Sequence, residues 1–284
     1  MQDFWPSITT FVLLCVSAGA GRYISPRLPE TYRTRDTIET MQLVIGMLVT
    51  FAALVLGLLT ASVKTSYDIA ARDRHAYALH LTQLDRCLRD YGPGADAARV
   101  DLQSYTAAVI ASTWPNESPP TDVRYPNTAA MPVVGASPVL GDLMEQVGRE
   151  IRSLDPKTPV GVNTVQDCRA AYQDVLHARM TVIEDAGTSL SAPFFWILVF
   201  WLMVIFLALG LAAPRNKLAS LGIVLCAISL SVAILVIADL SRPYRGLMSI
   251  SSTDMRTALT EMMTSFLIFP ALSRRRIEKS GTSD

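Results

Sequence analysis

Residues 43–63 read LVIGMLVTFAALVLGLLTASV, an apolar run from Leu43 to Val63 with no charge before Lys64. A helix needs about 20 mostly apolar residues to cross the hydrocarbon core of a bilayer. This stretch therefore places the chain among membrane proteins. Three further blocks behave alike. One runs from Phe4 to Ala20 and is closed by Arg22; another, Pro193 to Ala213, opens with Phe194-Phe195-Trp196 and carries Trp201; the last, Leu218 to Ala238, stops at Asp239. The aromatic cluster suits a belt at one membrane interface. Ala18-Gly19-Ala20 looks like a signal-peptide cleavage site, but Met1-Gln2-Asp3 lacks the Lys or Arg of a secretory n-region, so a retained span is expected.

Composition agrees with that class. Of 284 residues, 50% are apolar and 18% charged, and the mean hydropathy is +0.31. The 25 basic and 25 acidic residues balance, so no global field favours a nucleic-acid partner. The tight polar turn Pro214-Arg215-Asn216-Lys217 makes spans three and four a hairpin, and a short segment with Arg22, Arg27, Arg33 and Arg35 joins spans one and two. The expected fold class is an all-α integral membrane protein with four transmembrane helices in two pairs plus an extramembrane helical bundle. Its parts are spans one and two (1–63), the bundle (64–192), spans three and four (193–240) and a C-terminal helix with a basic tail (241–284).

The middle segment reads as helices. From Lys64, span two continues outward to about Tyr91, with Leu81, Leu84, Leu88 and Tyr91 on one face. Gly92-Pro93-Gly94 ends it, because glycine caps a helix and proline cannot continue one. A second helix is expected over Asp96 to Thr113, with Val100, Val109 and Ile110 available to pack. The proline-rich stretch Pro115 to Ser137 is a loop. A third helix starts at Pro138 behind Ser137 as N-cap, with Leu140, Leu143, Val147, Ile151 and Leu154 as its stripe. A fourth runs from Asn163 to Ala186, carrying Val165, Cys168, Tyr172, Val175, Leu176 and Ile183. Ser251 and Asp254 form a capping box that opens a last helix to about Phe266.

Candidate chemistry is sparse. Cys15 and Cys226 lie in apolar blocks, where a thiol acts as a small hydrophobe. Cys87 and Cys168 are expected as separate structural thiols, with a bridge as the alternative should their segment face an oxidising space. Asp174 and His177 share a helix face, but one such pair offers too few ligands for a metal, and His75 and His80 add no known spacing. Asn116-Glu117-Ser118 fits a glycosylation sequon. No phosphate loop or nucleophile elbow is present. No nucleophile, base and orienting group can be assembled, so neither enzyme nor cofactor is expected. Asp239 can pair with Arg242 one turn on, beside helix-breaking Pro243, as an interfacial anchor.

Span two has contrasting faces. Gly46, Thr50, Ala53, Gly57 and Ala61 form one; Val44, Leu48, Phe51, Val55 and Leu58 form the other. A small-residue stripe lets a second helix approach closely. One reading makes it the inner seam, with the large residues facing lipid. The other packs the small face on the remaining spans and turns the large face to copies of itself about an axis. Orientation is undecided by charge. Arg22, Arg27, Arg33, Arg35, Arg215 and Lys217 stand on the hairpin side, against Lys64, Arg72, Arg74, Arg179, Arg242 and Arg245 on the other. Arg274-Arg275-Arg276 with Lys279 leans the bundle towards the cytoplasm.

Thr50 to Asp68, TFAALVLGLLTASVKTSYD, resembles the signature of the bacterial bestrophin-like membrane family, a domain of unknown function. Leu84 to Pro93 (LDRCLRDYGP), Trp114-Pro115 and Ala238 to Ser252 (ADLSRPYRGLMSISS) extend the resemblance over about residues 1–265. Bestrophins are pentameric ion channels with four spans, cytoplasmic termini and a pore lined by the second span. The resemblance thus implies an oligomeric inner-membrane protein, a pentamer, with its bundle and termini in the cytoplasm. It implies a pore lined by Val44, Leu48, Phe51, Val55 and Leu58, and helix packing through Gly46, Ala53, Gly57 and Ala61. No acidic calcium clasp or bestrophin pore sequence accompanies it, so calcium gating is not implied. A non-conducting scaffold or sensor whose bundle binds a protein partner is the alternative.

Overall fold

The structure, a computed structural model, describes residues 5–27, 29, 35–129, 131–133, 135–187, 192–214, 216–244, 246 and 248–264. Expectations for Met1 to Phe4, Arg33, Arg215, Arg245 and the tail from Ser265, with Phe266, Arg274, Arg275, Arg276 and Lys279, lie outside these residues. The helices are α1 (Trp5–Ile24), α2 (Arg35–Tyr91), α3 (Asp96–Thr113), α4 (Pro138–Ser153), α5 (Pro159–Gly187), α6 (Ala192–Ala212) and α7 (Lys217–Leu240). We label residues 253–264 α8. No strand occurs among the described residues, so the chain is all-α. It divides into unit 1 (Met1–Asp68 and Ser189–Ser249) and unit 2 (Ile69–Thr188 and Ile250–Asp284).

Unit 1 holds the four helices that are long and apolar enough to cross a membrane: α1, the first part of α2, α6 and α7. Helix α1 packs against both α6 and α7. Its contact with α6 is backbone-close, because a Cβ at Gly21 would overlap the Leu207 carbonyl and one at Gly210 the Ala18 carbonyl. Hydroxyls of α1 bridge to α6 and to α7 without leaving their polar atoms unpaired in an apolar setting. Ser17 Oγ donates to Met203 O at 2.6 Å and Ser7 Oγ to Ser231 O at 2.8 Å. Leu14, Leu202, Phe206, Ala227 and Ile234 form the core between these helices. The cleavage-like Ala18 is buried within it.

Unit 2 is a helical bundle of the rest of α2 with α3, α4, α5 and α8. Its core is Leu81, Leu84, Leu88, Leu102, Ile110, Met144, Val147, Ile151, Val175, Met255 and Met262. Helix α2 stops as its glycine requires: Gly92 has φ of 102°, and its N–H donates to Arg89 O at 3.0 Å. Several buried polar groups are paired, which offsets their desolvation. Arg99 Nε donates to Asp85 at 2.9 Å, Trp114 Nε1 to Ile250 O at 2.8 Å, and the Tyr77 and Tyr105 hydroxyls bond each other. Tyr172 lies against Gly148, where any side chain would overlap the phenol, and donates to Met144 O at 3.0 Å.

Several expectations are corrected here. Cys87 and Cys168 are not separate thiols but a disulfide between α2 and α5, with Cα atoms 5.4 Å apart. The packing of two helices brings together positions 81 residues apart. Val100 is 51% exposed. The inner face of α3 is rotated to take in Arg99, a charge made buriable by Asp85. Val147 and Ile151 on α4, Leu154 at its C-cap, and Val165, Cys168, Tyr172 and Val175 on α5 are buried as expected, but Leu143 and Leu176 are only half-buried, and Met144 is enclosed beside Leu143. Ser137 occupies the N-cap position of α4 without a side-chain cap bond. The capping box is not closed: Ser251 accepts from Thr253 N, but the Asp254 carboxylate turns to His75 at 3.1 Å.

Candidate functional site

Helix α2 leans on unit 1 along a narrow stripe. Ile45, Ala52 and Val63 are buried, and Leu48, Val55, Leu56 and Leu59 pack partly against the cores. The spacing of three and four residues is that of one helix face. Only 11% of the α2 apolar window is buried, against 22–33% for the spans of α1, α6 and α7. A wide apolar arc of α2 is therefore open in the single chain.

The expected site residues divide on this geometry. Val44, Phe51 and Leu58 are exposed, about a quarter turn from the buried stripe. Leu48 and Val55 are not presented with them, because they belong to the stripe that packs on the protomer's own core. Gly46, Ala53, Gly57 and Ala61 lie exposed on the far side, and nothing comes within 4 Å of a Cβ built at Gly46 or Gly57. Within one chain, then, the small stripe packs on none of the other spans. The close approach that small residues permit is made by Ala18, Gly21 and Gly210 between α1 and α6. Leu43, Met47 and Leu54 complete the open arc. They escaped the sequence reading, which weighed two opposed faces and left the sector between them unassigned. The arc carries no free hydroxyl from Thr50 or Thr60, which donate to Gly46 O and Leu56 O one turn back.

Asp239 closes α7. Its carboxylate accepts from Met248 N at 2.8 Å and lies against Gly246, whose φ of 102° and missing side chain allow the approach. Arg242 is exposed one turn on, its backbone N–H donating to Asp239 O at 3.0 Å. The anchor thus works by shaping the loop after α7.

Unit 2 has two concave features. A groove of about 820 Å³ between α2 and α8 is lined by Thr82, Arg86, Arg89, Arg256, Thr257 and Glu261, among others. Arg86 and Glu261 pair across it at 3.1 Å. Beneath lies Asp85, whose carboxyl is held above its ordinary range because burial outweighs the Arg99 hydrogen bond and charge. A smaller cleft of about 260 Å³ holds Asp73, His80, Asp174 and His177. Among the described residues no three acidic, histidine or cysteine side chains are placed to hold a metal.

An all-α chain with four membrane-length apolar helices and a separate polar helical unit defines an integral membrane protein. The bestrophin-like domain model matches residues 11–255, and the chain belongs to that family. Its fold is that of solved bacterial bestrophin homologues. A variant of the Klebsiella pneumoniae homologue superposes with a TM-score of 0.62 at 14% identity, over 90% of this chain and 97% of that one. A second variant of that homologue gives 0.59 at 13%, covering 93% and 100%. A structure described as a membrane protein gives 0.59 at 13%, covering 93% and 98%. No curated protein sequence matches the chain.

Proposed function

We propose that the chain assembles as an oligomeric ion channel of the bacterial inner membrane, with α1, α2, α6 and α7 as its spans and α2 lining the pore. The observation that carries this reading is the open arc of α2. An apolar helix left largely uncovered by its own chain, in a family of bestrophin type, supports an assembly of copies about an axis. The Gly46, Ala53 and Gly57 flank admits a neighbouring helix, and Val44, Met47, Phe51, Leu54 and Leu58 form the pore wall. A ring of such side chains makes a constriction that gates by dewetting. Phe51→Ala should raise ion flux in vesicles reconstituted with the purified protein, whereas Gly57→Leu should shift the detergent complex to lower mass. Flux no greater than in empty vesicles for both native protein and Phe51→Ala would remove the channel reading.

The groove between α2 and α8 favours a second reading, a non-conducting scaffold whose unit 2 binds a protein partner. Complex mass separates them: a closed ring of five supports the channel, a monomer or dimer the scaffold. The likeness to bestrophins would also put unit 2 and both termini in the cytoplasm. That placement is not carried over, because of the Cys87–Cys168 bridge.

A further inference from the structure

The chain has four cysteines. Cys15 and Cys226 are free thiols within α1 and α7. Both cysteines outside the apolar helices, Cys87 and Cys168, are bonded to each other in unit 2. Cys168 is fully buried, so the bridge is set within the bundle. Structural disulfides form and persist outside the cytoplasm, where glutathione and thioredoxin do not hold thiols reduced. Connectivity then places every other segment. Unit 2 is threaded between α2 and α6 and follows α7, so its pieces share one side of the bilayer. The α1–α2 and α6–α7 connections share the other.

Those two connections are short, and short loops are the ones whose Lys and Arg bias topology. Long domains translocate largely regardless of charge. Arg22, Arg27, Arg33, Arg35, Arg215 and Lys217 all belong to the short connections or their flanks. Lys64, Arg72, Arg74 and Arg179 belong to the long unit 2 segment or its edge. After α7, Arg242, Arg245 and Arg256 lie within about 20 residues of the span and oppose the six, while Arg274, Arg275, Arg276 and Lys279 lie beyond that window. Counted this way the charges no longer tie. Two independent observations, a bridge and a loop bias, agree.

We infer that unit 2 faces the oxidising, extracytoplasmic side of the membrane, with the two short basic connections in the cytoplasm. Closure of the bridge transfers two electrons and two protons from the Cys87 and Cys168 thiols to a protein disulfide of that compartment, which leaves as a dithiol. The groove lined by Arg86, Arg89, Arg256 and Glu261 then opens to extracytoplasmic solutes. This placement needs only the four spans, and a protein that proved not to conduct would keep it.

The test uses the full chain with Cys15→Ser and Cys226→Ser, which leaves the bridge intact. Asn127→Cys reports on the long loop of unit 2 and Thr37→Cys on the hairpin side. In spheroplasts, a membrane-impermeant maleimide should label Asn127→Cys before lysis and Thr37→Cys only after it. Asp122→Cys repeats the measurement should Asn127→Cys fail to accumulate. Separately, a non-reducing peptide map of acid-quenched cells expressing the native chain should contain the Cys87 and Cys168 peptides linked. Labelling of the unit 2 cysteine only after lysis overturns the inference. So does alkylation of Cys87 and Cys168 in those cells without reductant. The flux and mass measurements are untouched by either outcome, so failure here is distinct from failure of the channel.

Discussion

Asp185 on α5 holds its proton to about pH 6, chiefly because it is shielded from water, then through a hydrogen bond with Asp73 and the charges of Asp73 and Glu184. Its folded pKa is raised above the unfolded value, so the folded chain binds more protons between about pH 4 and pH 6. Stability should therefore fall as pH rises through that window. The thermal midpoint in detergent should drop from pH 4.5 to 7, and Asp185→Asn should flatten the drop. A variant as pH-sensitive as the native chain would refute the assignment. Arg99 and Asp85 make a second residue-scale case. Removing one partner of a buried pair strands the other charge and costs roughly 3–5 kcal/mol, whereas replacing both with apolar groups can be neutral. Arg99→Met should lower the urea midpoint strongly, and adding Asp85→Leu should restore most of it. Leu88, fully buried in unit 2, should lose about 2–5 kcal/mol on truncation to Ala.

At the scale of elements, two glycines should part company. Gly210 meets the Ala18 backbone, and Gly57 meets nothing. Gly210→Leu should prevent α1 and α6 from packing and abolish folded protein in detergent. Gly57→Leu should leave the protomer folded with native helix content and lose only its association. Equal damage from both would show that the small flank of α2 packs within the chain after all. The sequence could not make this distinction. Ala18, Gly21 and Gly210 are as unremarkable in composition as Gly46 and Gly57, and which set meets a neighbour depends on how the helices are arranged. The limits of the helices were legible for local reasons. Charges end the apolar runs at Lys64 and Asp239, Gly92 takes a backbone few residues tolerate, and Pro138 suits a first turn. Helix phase was less so: in α3 it depends on Arg99 being buried, which only a distant Asp85 permits. The bridge was hidden likewise, since residues 87 and 168 become neighbours only when α2 and α5 pack. Closing a loop of that length should stabilise unit 2 by roughly 4–5 kcal/mol in the chain-entropy model. Reductant should accordingly lower its melting temperature, but not that of Cys87→Ser with Cys168→Ser.

At the scale of the whole molecule, α2 runs for 57 residues from unit 1 into unit 2. At about 1.5 Å per residue its backbone rises roughly 85 Å. It contains no proline, and its last glycine is Gly57, so between Leu58 and Tyr91 it lacks the residues that most often break a helix. The ladder of backbone hydrogen bonds thus passes from the apolar stretch that ends at Val63 into the polar one that bears Asp85 and Cys87, each amide donating one turn back. Continuity of this kind leaves a record in solvent. Amide hydrogen exchange should be slow at every position from Leu58 to Tyr91, with no fast-exchanging step where the apolar stretch gives way to the polar one.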